Sequence, residues 1–253
     1  MIDLEINGAL FKNIKLIIFD KDGTLFQLYP YWSLVAMIRA ENICKGLVVS
    51  EDGLAEWIAL QMGVDVGRQK MNPNGPIGIY SRQYIQNLLY NKLKARGYPI
   101  EKNIIQSAFN EADEYISQEE RIKESHVPVR GMLDFLNSIE GRSKGAIFSY
   151  DITYKLELIA RSFGISGGFH MFLGGDRILY PKPDPWGSRE IMSKLHISPE
   201  NTALIGDSIC DMESGRAAGC GYLIAMLSEI SNREQLMPMA NEIVSDFMEI
   251  EVH

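Results

Sequence analysis

Two carboxylates stand one residue apart where an apolar run stops, in Lys15-Leu16-Ile17-Ile18-Phe19-Asp20-Lys21-Asp22-Gly23-Thr24-Leu25. An apolar run that ends abruptly at charged residues reads as a buried strand delivering them to the edge of a sheet. In open α/β sheets, ligands bind just beyond the carboxyl ends of the strands. Neighbouring carboxylates at such a point repel unless a cation or a substrate holds them. Mg²⁺ takes oxygen ligands, typically one or two carboxylates together with substrate phosphate, and an Asp can itself accept a phosphoryl group covalently. The stretch therefore points to phosphoryl chemistry at Asp20. The plainer reading is an acidic turn after a strand.

Three further features fall at or just beyond the ends of expected strands. Ser149 closes Ala146-Ile147-Phe148-Ser149, Lys182 sits in Tyr180-Pro181-Lys182-Pro183-Asp184-Pro185, and Asp207 and Asp211 lie in Gly206-Asp207-Ser208-Ile209-Cys210-Asp211. Each has an ordinary explanation by itself: Ser149 as a cap or turn residue, Lys182 as a loop lysine, and the acid pair as a favourable helix N-terminus. Together, in this order and at these positions, they call for a common ligand.

The elements that must position these residues follow from pattern. Ile2, Leu4 and Ile6 alternate with acids before Asn7-Gly8, which predicts a strand and tight turn leading toward Phe11–Ile14. From Tyr31 to Glu124 the spacing is helical, as in Trp32, Val35, Ala36 and Arg39, or Ile105, Phe109 and Ala112. About four helices are expected there, broken by Asn72-Pro73-Asn74-Gly75-Pro76-Ile77-Gly78. From Val127 strands and helices alternate, ending with a candidate strand at Glu242–Val244, which argues for a parallel sheet covered on both faces. The expected fold class is α/β: a discontinuous Rossmann-like parallel-sheet core, residues 1–25 and 127–253, with an all-helical insertion over 26–126. Trp32 and Trp57 are expected in the helical core.

Composition narrows the partners. A net charge of −8 argues against nucleic acid or an anionic membrane as the main partner. Cys44, Cys210 and Cys220 show no paired spacing, which suggests reduced thiols, with neither a disulfide framework nor a cysteine zinc site. No apolar run approaches a bilayer span, and no signal peptide is evident. A cytoplasmic location is expected.

The set of motifs closely resembles the haloacid dehalogenase superfamily of phosphohydrolases, in its phosphoglycolate-phosphatase-like branch. Phe19-Asp20-Lys21-Asp22-Gly23-Thr24-Leu25, Ser149, Lys182 before Pro183, and Gly206-Asp207-Ser208-Ile209-Cys210-Asp211 match its four motifs in order. The resemblance implies that the insertion is a C1-type cap. It also implies roles: Asp20 as nucleophile, Asp22 as general acid and then base, and Thr24, Ser149 and Lys182 as holders of the phosphoryl oxygens. Mg²⁺ would be bound by Asp20, Asp207 and the Asp22 backbone carbonyl, with Asp211 in support. The implied partner is a small phosphorylated metabolite. Superfamily members that do not cleave esters lack the second acid, so Asp22 points to a phosphatase or a phosphomutase, and Gly23-Thr24 leans toward the phosphatase. A sugar phosphomutase, or a silent metal-binding regulatory protein on the same fold, are the alternatives. The chain departs from phosphoglycolate-specific members at Phe26-Gln27-Leu28-Tyr29, where an Asp is usual, and at Tyr150-Asp151, where many members have Asn. Arg68, Lys70 and Arg82, which flank the Pro/Gly break, are the cap candidates for substrate contact.

Overall fold

The computed structural model describes residues 1–47, 51–77 and 80–253. By internal contacts the chain divides into two units, Met1–Gln27 with Pro128–His253, and Leu28–Val127.

The first segment folds as β1 (Ile2–Ile6), β2 (Ala9–Ile14) and β3 (Leu16–Phe19). Asn7 and Gly8, both at positive φ, make the turn between β1 and β2, as the Asn-Gly pair predicts. All four residues of β3 are buried, the mark of a strand covered on both faces.

The middle unit contains α1 (Leu28–Leu47), α2 (Leu54–Gln61), β4 (Val64–Asp65), β5 (Lys70–Met71), α3 (Arg82–Ala95), α4 (Lys102–Ile116) and α5 (Glu119–Ser125). Five helices are thus described where about four are expected. The unit is also not purely helical, because β4 and β5 pair antiparallel, Val64 with Met71 and Asp65 with Lys70. Two-residue strands carry no alternation to read. What makes this ladder is its turn, where Asp65 Oδ1 accepts the Arg68 N–H at 2.9 Å. The Pro/Gly break lies outside any helix, and Gly78 at its end is outside the described residues. α4 buries Ile105, Ala108, Phe109, Ala112 and Ile116, a single apolar stripe. Trp32 packs against the buried cluster of Tyr31, Val35 and Ile116.

The second core segment supplies α6 (Met132–Ile139), β6 (Lys144–Phe148), α7 (Thr153–Ser162), β7 (Phe169–Leu173), α8 (Trp186–Leu195), β8 (Thr202–Gly206), α9 (Ile209–Ala218), β9 (Tyr222–Met226), α10 (Arg233–Leu236), β10 (Glu242–Val244) and β11 (Ile250–Val252). Six strands form one sheet in the order β10-β9-β8-β3-β6-β7, parallel throughout. β3 lies between β6 and β8, with Phe19 level with Ile147 and Ile205. The chain moves outward on one side through β6 and β7 and on the other through β8, β9 and β10. The switch point, where such sheets open a crevice, therefore falls beside β3.

Alternation along β3 serves both faces. Leu16 and Ile18 join Leu204, Met212, Leu223 and Ile191 in one core layer. On the other face Phe19 meets Phe135, Phe169 and Phe247 at ring distances of 6.2, 5.9 and 6.4 Å. β11 is an addition to the sequence reading. It pairs antiparallel with β1, Leu4 opposite Val252 and Ile6 opposite Ile250, in a separate sheet ordered β11-β1-β2. Three residues without flanking turn signals acquire strand character only from a partner at the other end of the chain.

Leu204, 2% exposed in the central core layer, offers a direct test of this packing. Leu204→Ala should lower unfolding free energy by about 2–5 kcal/mol, read from urea denaturation followed by circular dichroism.

Candidate active site

The last backbone hydrogen bond at the end of β3 fixes where the chemistry-bearing residues emerge. Asp20 N–H donates to the Ile205 carbonyl of β8 at 2.9 Å, which carries the sheet ladder one residue past Phe19. The chain then closes a tight turn: the Lys21 carbonyl accepts the N–H groups of Leu25 and Phe26, both at 3.0 Å. Gly23 has φ +84°, and a Cβ there would lie 2.1 Å from Asp207 Oδ2. Glycine is needed at this position both for its φ and for the closeness of the two loops.

Asp207 follows β8, and α9 begins two residues later. Ser208 caps that helix: its Oγ accepts the Asp211 N–H at 3.2 Å, while Asp211 Oδ2 accepts the Ser208 N–H at 3.1 Å and its hydroxyl at 2.5 Å. This reciprocal capping box turns Asp211 inward and buries it. Asp211 is thus a helix N-terminal acid whose buried side chain stands beside those of Asp20 and Asp207.

Lys182 joins the two loops. Its ammonium donates to Asp20 Oδ1 at 2.7 Å, to Asp211 Oδ1 at 2.6 Å and to the Phe148 carbonyl at 2.8 Å. An ammonium has three donors, so all are committed to protein acceptors here. Its loop is pinned by the Tyr150 hydroxyl, which donates to the Lys182 carbonyl at 3.0 Å. Sequence reading offered an exposed loop lysine as the ordinary explanation; the Lys182 side chain is instead 4% exposed.

Ser149 follows β6 and is buried. Its N–H donates to the Leu173 carbonyl at 3.1 Å, and its Oγ accepts the Asp151 N–H at 3.3 Å. It thus acts as a turn residue while sitting at a strand end. Thr24 is fully buried. Its hydroxyl and Asp207 Oδ2 are buried atoms without a hydrogen-bond partner among the described residues.

One oxygen each from Asp20, Asp207 and Asp211 lies within 4.8 Å of the others. Three buried or part-buried carboxylates offering hard oxygen donors suit Mg²⁺ or a similar cation, and the orphaned Asp207 Oδ2 fits such an ion. The Asp22 side chain is not part of this cluster; it pairs with Lys21, Nζ to Oδ1 2.8 Å.

The electrostatics follow from crowding negative charge in a dry place. Burial raises the Asp20 carboxyl from 3.8 to about 7, with Asp211 and Asp22 adding to the rise and Lys182 opposing it. Asp207 is pushed well above the ordinary carboxylate range by burial, then by Asp20 and Asp211. Burial works against the charge of Lys182, but Asp20 and Asp211 more than offset it and raise its pKa.

Several side chains at the site carry no functional expectation from the sequence. Lys21 is fully buried and also pairs with Asp151 Oδ2 at 2.9 Å; Asp151 in turn pairs with Lys155 at 3.5 Å. The four-residue spacing of Asp151 and Lys155 was a visible signal, whereas nothing in the sequence marks Lys21 as buried. Ser231, which no sequence pattern marks, donates its hydroxyl to the Asp207 carbonyl at 2.7 Å. Within the middle unit, Arg82 is committed to Asp113 and Asn110 and lies over the Phe109 ring at 5.3 Å. Arg68, in the turn between β4 and β5, and Lys70, on β5, are both exposed, with Arg68 3.8 Å from Asp65.

An acidic cluster at the carboxyl ends of adjacent parallel strands, bridged by a buried lysine, marks the chain as an α/β enzyme. A family model described as haloacid dehalogenase-like hydrolase matches residues 14–219. The chain belongs to this family of hydrolases. It is 22% identical over 238 residues to the phosphoglycolate phosphatase of Aliivibrio fischeri, covering 94% of each chain. Identity to the Vibrio cholerae phosphoglycolate phosphatase is 25% over 235 residues, covering 93% of this chain and 94% of the relative. A HAD-superfamily hydrolase of subfamily IA, variant 1, from Geobacter sulfurreducens shares the fold, with TM-score 0.63 at 18% identity over 94% of each chain. No helix among the described residues is long and apolar enough to cross a membrane.

The raised carboxyls have a consequence for metal-free protein. A folded-state pKa of about 7 against 3.8 when unfolded means that the folded state holds this proton more tightly. Stability is then lost as pH rises from about 4 to about 7, and Asp207 acts in the same sense. In EDTA, Tm should fall across this window. Added Mg²⁺ should raise Tm more above pH 7 than at pH 5, because it needs the ionised carboxylates. Thermal melts across pH, with and without Mg²⁺, check both effects.

Proposed function

We propose that the protein is a cytoplasmic, Mg²⁺-dependent phosphatase that hydrolyses a small phosphomonoester through an aspartyl-phosphate on Asp20. The observation that carries this reading is the convergence of the Asp20, Asp207 and Asp211 carboxylates on one point, with Lys182 bonded to Asp20 and Asp211, and with Asp22 two residues beyond Asp20. In this reading the Asp20 carboxylate attacks phosphorus and the bond to the leaving oxygen breaks. Asp22 gives that oxygen its proton, and the alcohol departs. Asp22, now ionised, takes a proton from the water that attacks the phosphoenzyme; inorganic phosphate leaves and Asp20 is regenerated. Proton transfer of this kind is worth about 10²–10⁴-fold.

Thr24 and Ser149 donate hydroxyls to the phosphoryl oxygens. Lys182 does the same by exchanging one of its present acceptors, and otherwise holds Asp20 and Asp211 in register. Asp20, Asp207 and the Asp22 backbone carbonyl would hold Mg²⁺, with Asp211 in support; when bound, the ion neutralises charge on the transferring group. The middle unit acts as a cap that supplies leaving-group contacts. Arg68 and Lys70 are its candidates, since Arg82 is spent on Asp113 and Asn110.

The decisive experiment is phosphate release from a panel of phosphomonoesters with Mg²⁺. 2-Phosphoglycolate comes first, because the relatives carry that activity in their names, and glucose 1-phosphate is included. Release from at least one ester is expected. Isomerisation without release would replace the phosphatase with a phosphomutase, and no turnover of any ester would remove the enzymatic reading. Asp20→Asn should abolish turnover while leaving the circular dichroism spectrum unchanged. EDTA should silence the wild type and Mg²⁺ restore it, measured by the same phosphate assay; full activity without metal would contradict the ligand assignment.

A further inference from the structure

The residue between the two catalytic acids is itself unusual. Lys21 has no solvent-exposed side-chain surface, yet carries an ammonium 2.8 Å from Asp22 Oδ1 and 2.9 Å from Asp151 Oδ2. Asp151 extends the chain of charges to Lys155, which is 8% exposed and 3.5 Å away. The anchor points are hydrogen-bonded in place. Asp151 N–H is held by Ser149 Oγ at 3.3 Å, and the Asp151 carbonyl accepts the Gly175 N–H at 2.8 Å. The Lys21 carbonyl accepts two N–H groups of its own turn, those of Leu25 and Phe26. The series Lys155–Asp151–Lys21–Asp22 therefore ties the loop after β6 to the loop after β3, and ends on a carboxylate that is 23% exposed.

A buried ion pair of this kind adds little net stability over an apolar side chain of similar volume. What it supplies is direction. We propose that Lys21 is a positioning residue for Asp22. By holding Oδ1, it fixes the carboxylate so that the proton is delivered and recovered at Oδ2. This rests on the phosphatase reading above, in which Asp22 protonates the leaving oxygen. Misplacing a reacting group by 1 Å can cost on the order of 10²-fold, so a carboxylate freed from its ammonium should be a poor acid even where the fold is intact.

The test separates positioning from packing by choice of leaving group. An alkyl ester needs its leaving oxygen protonated, whereas p-nitrophenolate is stable as the anion and needs no proton. The value of kcat/KM reports the steps up to loss of the leaving group and so excludes later hydrolysis of the phosphoenzyme. Lys21→Met should lower kcat/KM on 2-phosphoglycolate, or on glycerol 2-phosphate if the wild type prefers it, by about 10–100-fold. On p-nitrophenyl phosphate the loss should stay within about threefold, since general-acid help is not required there. Lys21→Met removes the ammonium between Asp22 and Asp151, so Lys21→Met/Asp151→Asn is made alongside it to relieve that repulsion and should show the same selectivity. Circular dichroism confirms that the variants fold. Equal losses on the two esters in the folded variants, or no loss on either, would overturn the proposal. Asp22→Asn distinguishes this failure from that of the underlying reading. If Asp22→Asn is itself selective against the alkyl ester, the acid role of Asp22 stands and the fault lies with Lys21. If it is not, both are overturned.

Discussion

Three carboxylates share one small volume at the ends of two adjacent strands, and Lys182 is the cation that makes this tolerable. Asp20, Asp207 and Asp211 present oxygens within 4.8 Å of one another, in surroundings dry enough to push the Asp20 carboxyl up to about 7. Like charges at that separation cannot all ionise without a compensating charge. The ammonium touches two of them directly, and a divalent ion suits what remains. Strand order, helix caps and the glycine turn can each be understood as a means of bringing these groups to one point.

The parallel sheet does most of that work. β3 and β8 are neighbours in register, Phe19 beside Ile205, so the residues that follow them, Asp20 and Asp207, emerge close together. The close approach of the loops beyond is set by Gly23, where any side chain would strike Asp207. A capping box turns Asp211 inward with no dedicated element. Rigidity at the site is therefore borrowed from the core: the Leu16/Ile18 layer on one face and the phenylalanine cluster around Phe19 on the other hold β3 from both sides.

A second charge system lies beside the first. Lys21, Asp22, Asp151 and Lys155 alternate in sign and run between the same two loops that carry Asp20 and Ser149. One system organises the groups proposed to bind metal and phosphoryl oxygens, the other the group proposed to move protons. Two acids of one turn, Asp20 and Asp22, thereby reach different surroundings, the kind of difference that lets a pair of acids take the two roles proposed for them.

The sequence by itself determined the parts that depend on local pattern. The four-residue apolar run before Asp20 announced a doubly covered strand, helical spacing announced the middle unit, and the order of Asp20, Ser149, Lys182, Asp207 and Asp211 announced one shared site. Tertiary structure decided what depends on partners distant in the chain. β11 is a strand only because β1 lies beside it, and the β4–β5 pairing joins two-residue strands across a turn that Asp65 braces. Lys182 could be read from sequence as an exposed loop residue, and Lys21 as an incidental basic residue between two acids. Burial and ion pairing made both of them central, because a side chain's charge is written in the sequence while the dielectric and the counter-charges around it are set by the fold.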